Sequence, residues 1–190
     1  MTVIEDRLIV RGSVETMEER SERFEVVSAE SSLTFFATST LFPVYGRASE
    51  MSGYVEGVWS QQGTLAVRPM PKMHLDLKVE SLRTGNELQD REMWKLIDSR
   101  RFPKIVAQLR ELSAGPAAGR YDAAGQITLA GLARRYEGDL QLSRAGETLR
   151  ISGDINVDVR DFGLKSMKLL VLSVEPLVRV RLRLVARREE

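Results

Sequence analysis

Apolar and polar residues alternate with a period of two along most of this chain, and one helix-compatible stretch interrupts the pattern. In the segment 151–159, I-S-G-D-I-N-V-D-V, the apolar residues Ile151, Ile155 and Val157 fall on one face, while Asp154 falls on the other. Alternate side chains of a strand point to opposite faces of its sheet. Many such strands joined by turns therefore predict a closed or nearly closed antiparallel sheet with an apolar inner face.

Other segments share this pattern. The alternation is equally clean in 74–80 and in 178–184, where Arg179, Arg181 and Arg183 occupy every second position, as is typical of a solvated strand face. The weaker strand segments are 24–29, 32–37, 54–59, 106–112, 126–130 and 136–142. This number of strands is about that which closes a small barrel. We therefore predict an all-β fold, a single antiparallel β-barrel of about eight strands.

The helix-compatible stretch is predicted as a short excursion around residues 86–97. Gly85 and Asn86 supply a turn and an N-cap. Its apolar residues are expected to pack across one end of the barrel, and they are Leu88, Trp94, Leu96 and Ile97. Pro103 ends the excursion, because the residue before a proline favours an extended conformation.

The length of 190 residues predicts one domain. Residues 1–23 are densely charged and are interpreted as a peripheral N-terminal extension, whereas residues 24–190 form the predicted barrel domain. The first residues break their apolar run with Glu5, Asp6 and Arg7, too early for the apolar region of a secretory signal. No apolar stretch reaches the ~20 residues of a membrane-spanning helix. A cytoplasmic protein without a membrane span is therefore expected.

Charge and motif content argue against several classes of function. The formal net charge of +1 does not predict a nucleic-acid partner. Cysteine is absent, which excludes thiolate zinc sites and cysteine nucleophiles. The one histidine, His74, occupies an outward position of a predicted strand and has no second histidine with which to share a metal. Because no nucleophile elbow, phosphate loop or dinucleotide motif is present, we predict a non-enzymatic protein without cofactor or metal.

The interior of the barrel remains as the candidate functional site. A small barrel either fills its lumen with side chains or holds one ligand, and the pattern does not decide between the two. A hollow lumen with this composition would select an apolar ligand. Alternation gives the candidate wall residues Leu33, Phe35, Leu75, Leu77, Val79, Ile127, Leu129, Ile155 and Val157. Aromatic candidates for closing the ends are Phe42, Trp94 and Phe162.

Four segments are similar, in content and in order, to those of a known family. They are S-L-R-T-G-N-E-L-Q-D-R-E-M at 81–93, D-S-R-R-F-P-K-I at 98–105, G-Q-I-T-L-A-G-L-A at 125–133 and D-F-G at 161–163. From about Phe24 to Arg187 the chain thus resembles the YceI-like family of bacterial proteins. The resemblance implies an extended lipocalin-like β-barrel whose lumen binds polyisoprenoid or related amphiphilic lipids.

The chain departs from that family at several positions. At positions where the family often has histidine, this sequence has Glu30, Ser39 and Glu92. The family's usual Arg-Asp pair reads Gln89-Asp90 here. If those positions recognise a ligand head group, the resemblance implies that this recognition is changed or lost here. Ala48 and Met51 replace positions that are commonly Phe, so a different interior volume is expected.

The sequence therefore predicts a non-catalytic barrel that binds or carries an elongated apolar or amphiphilic ligand of isoprenoid or fatty-acyl type. The alternative is a structural or protein-interaction module with a filled barrel core. The expected partner is a hydrophobic or amphiphilic small molecule rather than nucleic acid, and the oligomeric state stays open, with a homodimer among the alternatives.

Overall fold

The computed structural model describes residues 21–164, 167–169 and 171–189. Its strands are β1 (Ser21–Val26), β2 (Ser32–Ser39), β3 (Val44–Ala48), β4 (Met51–Val58), β5 (Lys72–Lys78), β6 (Lys104–Ala114), β7 (Arg120–Leu129), β8 (Leu132–Ala145), β9 (Thr148–Asp158), β10 (Met167–Leu169) and β11 (Leu172–Arg188). The α-helix α1 (Glu87–Ile97) lies between β5 and β6. Short 3-10 turns cover Ser28–Glu30, Val79–Ser81 and Val159–Phe162.

The strands close into one antiparallel barrel. β1 pairs with β4 on one side and with β11 on the other, and the ring continues through β5, β6, β7, β8 and β9. β2 continues the path of β1 alongside β11, while β3 pairs with β2 and leads into β4. The predicted barrel of about eight antiparallel strands is therefore confirmed, with the β2–β3 hairpin extending it at one end.

The register places the two faces of the strands as the alternation predicts. Ile155 of β9 is opposite Val180 of β11, and both residues line the interior. Their chain neighbours Asp154 and Arg181 are also opposite each other, and the Arg181 Nε lies 2.9 Å from the Asp154 Oδ1. The arginines of β11 thus form a solvated outer face, as predicted.

The two ends of the barrel differ in construction. The helix end comprises α1, the β2–β3 turn, the β7–β8 turn and the 3-10 turn Val159–Phe162. The sealed end comprises loop 59–71 and the turns 115–119 and 146–147. Since successive strands run in opposite directions, these two sets of connections lie at opposite ends of the barrel.

Aromatic and aliphatic side chains pack tightly at the sealed end. Phe24 and Leu149 have 0% of their surface exposed, and the Phe24 ring meets the Trp59 ring edge-on at 5.4 Å between centroids. The Tyr121 hydroxyl accepts a hydrogen bond of 2.9 Å from the Leu65 amide and donates one of 3.0 Å to the Leu65 carbonyl. These contacts fix loop 59–71 across the end of the barrel.

Several predicted boundaries differ from the structure. The strands β3 and β10 were not predicted, and Val79 lies in a 3-10 turn rather than in the strand predicted over 74–80. Of the predicted extension 1–23, residues 1–20 lie outside the described residues, while Ser21 already begins β1. Within the described ranges, no helix combines the length and apolar character that a membrane span requires.

Candidate functional site

The barrel encloses a cavity of about 340 Å³. Its wall is almost entirely apolar and is supplied by inward-facing residues of the strands and by one face of α1. The predicted wall residues that line it are Leu33, Phe35, Leu75, Leu77, Ile127, Leu129, Ile155 and Val157. Further lining residues include Val26, Met73, Ile105, Leu109, Leu140, Ile151, Val178, Val180, Leu182 and Leu184.

The wall residues at mid-barrel adjoin open space rather than one another. Leu33, Leu75, Ile127 and Ile155 face inward and yet are only half-buried. A side chain in a close-packed core would be almost fully buried, as Leu149 is at the sealed end. The partial exposure of inward-facing residues therefore identifies a hollow lumen.

Small residues on the inner face of neighbouring strands create this space. Ala123 of β7 is opposite Gly138 of β8, and Gly153 of β9 is opposite Leu140. A Cβ atom at Gly138 would meet the Asp154 carbonyl oxygen at 3.6 Å, an ordinary van der Waals distance, and nothing closer. A larger side chain at Gly138 would therefore project into the lumen without displacing backbone.

Tyr136 supplies a polar group at the helix end of the lumen. Its hydroxyl donates a hydrogen bond of 2.7 Å to the Asp161 Oδ2 and accepts one of 3.2 Å from the Asp158 amide. Its ring lines the cavity and stacks on Phe162 at 6.0 Å between centroids. Burial, together with the hydrogen bond to the Asp161 carboxylate, raises the pKa of Tyr136 to about 12. The phenol is therefore neutral at physiological pH.

The helix α1 covers part of the helix end with its apolar face. The Asn86 side chain caps the helix by accepting hydrogen bonds from the Leu88 and Gln89 amides at 3.0 and 3.2 Å. Met93, Leu96 and Ile97 then point into the lumen, because residues three and four apart share one side of a helix. The predicted helix and its N-cap are confirmed in the structure.

Asp90 fixes the segment that leads into α1. The residue is 2% exposed, and its carboxylate accepts hydrogen bonds from the Thr84 amide at 2.7 Å and the Thr84 hydroxyl at 2.8 Å. The Arg83 Nη1 lies 3.8 Å from the other Asp90 oxygen. Asp90 therefore holds the loop rather than facing the lumen.

Four predicted site residues do not line the cavity. Val79 is fully buried in its 3-10 turn, and Phe162 is buried behind Tyr136. The Trp94 indole donates a hydrogen bond of 3.1 Å to the Leu82 carbonyl and lies 4.4 Å from the Arg83 guanidinium, so it anchors the preceding segment. Phe42 is 53% exposed in the β2–β3 turn and is not among the residues that line the cavity.

Several lining residues were not predicted as site residues. The inward residues Val178, Val180, Leu182 and Leu184 could have been found from their alternation with the arginines of β11. Met93 could have been found from its helical spacing to Leu96 and Ile97. Gly138 carries no apolar side chain, so the pattern gives no signal for it.

The positions that depart from the family pattern lie away from the lumen wall. Ala48 and Met51 are buried, and the Glu30 carboxylate lies 2.6 Å from the Arg187 Nη2. Glu92 is exposed on α1. These replacements therefore act on packing and on the outer surface rather than on the lumen wall.

His74 faces outward, as predicted. Its Nε2 lies 2.9 Å from the Asp76 Oδ1, and its Nδ1 lies 3.2 Å from the Gln108 Nε2. The ring stacks on Tyr54 at 5.9 Å between centroids. Among the described residues there is no group of three or more acidic or histidine side chains placed to hold a metal ion.

Comparison with solved structures identifies several barrels of the same fold. Burkholderia cenocepacia BcnA superimposes with a TM-score of 0.69 at 15% identity, over 84% of this chain and 98% of the other. A polyisoprenoid binding domain from Saccharophagus degradans, described as implicated in plant cell wall breakdown, gives 0.69 at 16% identity, over 87% and 98%. A YCEI protein of Campylobacter jejuni gives 0.62 at 13% identity, over 80% and 88%.

The sequence comparison leads to the same group of proteins. No curated protein matches the sequence. The family model of the YceI-like domain matches residues 24–186, which is most of the chain and includes every strand of the barrel except the first residues of β1 and the last residues of β11. The chain therefore belongs to the YceI-like family.

Proposed function

We propose that this protein binds an elongated apolar or amphiphilic ligand, of isoprenoid or fatty-acyl type, in its lumen and does not convert it chemically. The observation that carries the proposal is the apolar cavity of about 340 Å³ inside the closed barrel. Ligand pockets span ~300–1,000 Å³, so the cavity is large enough for a ligand chain. Burial of that chain contributes ~25 cal/mol per Å² of apolar surface to the free energy of binding, and the cost of ordering the chain is subtracted from this.

The shape of the lumen favours one orientation of an amphiphile. The sealed end is packed with fully buried side chains, whereas the helix end carries the Tyr136 hydroxyl and the Asp161 carboxylate. An apolar tail would therefore point toward the sealed end, and a polar head group would lie near Tyr136. This arrangement avoids burying a polar group without a partner.

A similar structure supports the same class of ligand. The Saccharophagus degradans barrel is described as a polyisoprenoid binding domain, and it shares the fold of this chain at 16% identity. The apolar lumen wall described above gives an independent reason to expect a ligand of that class here.

The chemistry of the lumen supports binding without catalysis. General acid–base catalysis needs a group whose pKa lies near the working pH. The Tyr136 hydroxyl, with its pKa raised to about 12, does not meet this requirement. We therefore propose a carrier or binding role rather than an enzymatic one.

A structural or protein-interaction module with a filled core is the second candidate. The half-buried inward residues at mid-barrel count against a filled core, because close packing would bury them. The predicted cytoplasmic location, the lack of a nucleic-acid partner and the possibility of a homodimer stay predictions.

The proposed function is tested by what the purified protein carries. Organic extraction of the full chain followed by mass spectrometry is expected to release an isoprenoid or acyl lipid in near-stoichiometric amount. A fluorescent fatty-acyl probe should bind to the delipidated protein at one molecule per chain. An empty extract together with no uptake of acyl or isoprenoid probes would contradict the proposal.

A further inference from the structure

The exposed large hydrophobic side chains of the described residues gather around the helix end. Leu41 and Phe42 lie in the β2–β3 turn, Leu88 lies on α1, and Val171 directly precedes β11, whose first residues lie at this end. Their exposed fractions are 68%, 53%, 56% and 82%, respectively. We call these four residues the apolar rim. Tyr45, Leu132 and Leu177 lie nearby on the strands.

Backbone contacts bring the parts of the apolar rim together. The Thr40 amide donates a hydrogen bond of 3.1 Å to the Ser173 carbonyl, and the Ser173 amide donates one of 3.2 Å to the Thr40 hydroxyl. These bonds join the turn that carries Leu41 and Phe42 to the start of β11, next to Val171. The helix α1, which carries Leu88, packs against β10. These contacts bring the segments that carry the rim residues close together at the helix end.

The rim and the lumen share the same end of the barrel. Leu82, Leu96 and Leu164 line the cavity at the helix end, and α1 carries Leu96 inward and Leu88 outward. At the sealed end, by contrast, Phe24, Leu149 and Ala186 have 0% exposure. The helix α1 thus carries part of the lumen wall on one side and part of the apolar rim on another.

Exposed apolar surface at one end of a lipid-sized lumen has a specific physical use. A water-insoluble ligand that crosses from a bilayer to the protein through water exposes its apolar surface. The free-energy cost of this step is proportional to the apolar area exposed. Contact between the helix end and the bilayer removes this exposure. Side chains such as Phe and Leu insert readily at the boundary between head groups and acyl chains.

We propose that the apolar rim docks on a lipid bilayer, so that ligand passes directly between the bilayer and the lumen. The inference rests on the proposed function, because it assigns the route by which the ligand reaches that site. Leu41, Phe42, Leu88 and Val171 enter the outer layer of the bilayer, and α1 lies at the boundary. The bilayer is the occupant of this surface because the apolar rim lies at the end of the lumen that α1 covers, and the proposed ligand itself partitions into bilayers.

Flotation of the full chain with phosphatidylcholine vesicles tests the docking. The test variant combines Leu41→Ser with Phe42→Ser, and a second variant is Val171→Ser. The matched control is Leu177→Ser, since Leu177 is 54% exposed but lies on the outer wall of β11 rather than on the rim. The fluorescent fatty-acyl probe, added without vesicles, reports on the lumen of each protein.

The rim variants are expected to lose at least about tenfold in vesicle binding, and in probe transfer from donor vesicles, while the control keeps both. All four proteins should bind the free probe within about twofold of one another. Absence of vesicle binding by the unmodified chain would overturn the inference even if the probe binds. So would rim variants that bind vesicles normally, or a rim-dependent dimer in sedimentation without vesicle binding. Failure of every protein to bind the probe would instead reject the proposed function.

Discussion

The hydroxyl of Tyr136 donates a hydrogen bond of 2.7 Å to the Oδ2 of Asp161, which joins the lumen wall to the 3-10 turn at the helix end. The same hydroxyl accepts a hydrogen bond from the Asp158 amide. One phenol thus fixes the end of β9 and the turn that follows it.

Tyr136→Phe is expected to lower the free energy of unfolding by about 1 kcal/mol at neutral pH, because it removes the hydroxyl hydrogen bonds. The raised pKa of Tyr136 also makes the effect depend on pH. The unfolded state releases the phenolic proton from about pH 10 and the folded state only near pH 12, so the contribution of Tyr136 falls across this interval.

Urea denaturation of both proteins at about pH 8 and about pH 11 measures this difference. The gap between Tyr136→Phe and the unmodified chain should narrow at the higher pH. A gap that stays constant or widens would show that the phenol does not titrate as proposed.

Glu22 and Arg144 form a partly shielded ion pair at the sealed end. The Arg144 Nη1 and Nη2 lie 2.6 and 2.7 Å from the two Glu22 oxygens, and the Arg188 Nη1 lies 3.2 Å away. These hydrogen bonds, with that of Arg144 the stronger, lower the pKa of Glu22 below its usual 4.5 against the opposing effect of burial. Because the carboxylate is stabilised in the folded state, the contribution is present above pH 4.5 and is lost as pH falls through the lowered pKa.

Glu22→Gln is therefore expected to lower the free energy of unfolding by about 1–2 kcal/mol at neutral pH, since the side chains of the ion pair are partly shielded from water. The difference from the unmodified chain should shrink below about pH 4. Thermal and urea unfolding at several pH values would measure it. Glu111→Gln, which removes an exposed partner of Arg135, is the control and should change stability much less. Equal effects of the two variants would contradict the role given to Glu22.

Leucine truncation distinguishes a hollow lumen from a packed core. Leu149→Ala should lower the free energy of unfolding by ~2–5 kcal/mol, because Leu149 is fully buried at the sealed end and its truncation leaves a cavity. Leu75→Ala should cost about 1 kcal/mol, because the Leu75 side chain already adjoins open space in the delipidated protein. Denaturant unfolding of both variants makes the comparison. Similar large costs at the two positions would indicate that side chains fill the lumen.

Much of the barrel could be predicted from sequence because its strands have one solvent-exposed polar face and one apolar face. The alternation in β9 and β11 sorted Ile155 and Val180 inward and Arg181 outward, and the register agrees. The helix was also predictable, since Asn86 is a good N-cap and α1 begins directly after it. The short strand β3 was missed because five residues next to Pro43 carry little periodic signal.

The remaining features depend on tertiary structure. Val79 follows the alternation of β5, but the chain enters a 3-10 turn there and its side chain leaves the lumen wall. Phe42 and Leu88 are apolar, and only the completed fold shows that they face outward at the helix end. The hollow lumen depends on small residues such as Gly138, which an apolar pattern does not mark.

Binding of a fluorescent fatty-acyl probe to Gly138→Phe tests the central claim most directly. The added ring should enter the lumen, because a Cβ at Gly138 meets only the Asp154 carbonyl oxygen at 3.6 Å. Gln141→Phe is the matched control, since Gln141 is exposed on the outer face of the same strand. We predict that the unmodified chain and Gln141→Phe bind one probe per chain. Gly138→Phe should bind at least about tenfold more weakly with an unchanged unfolding midpoint. Equal probe binding by Gly138→Phe, or no binding by the unmodified chain, would contradict a ligand-holding lumen.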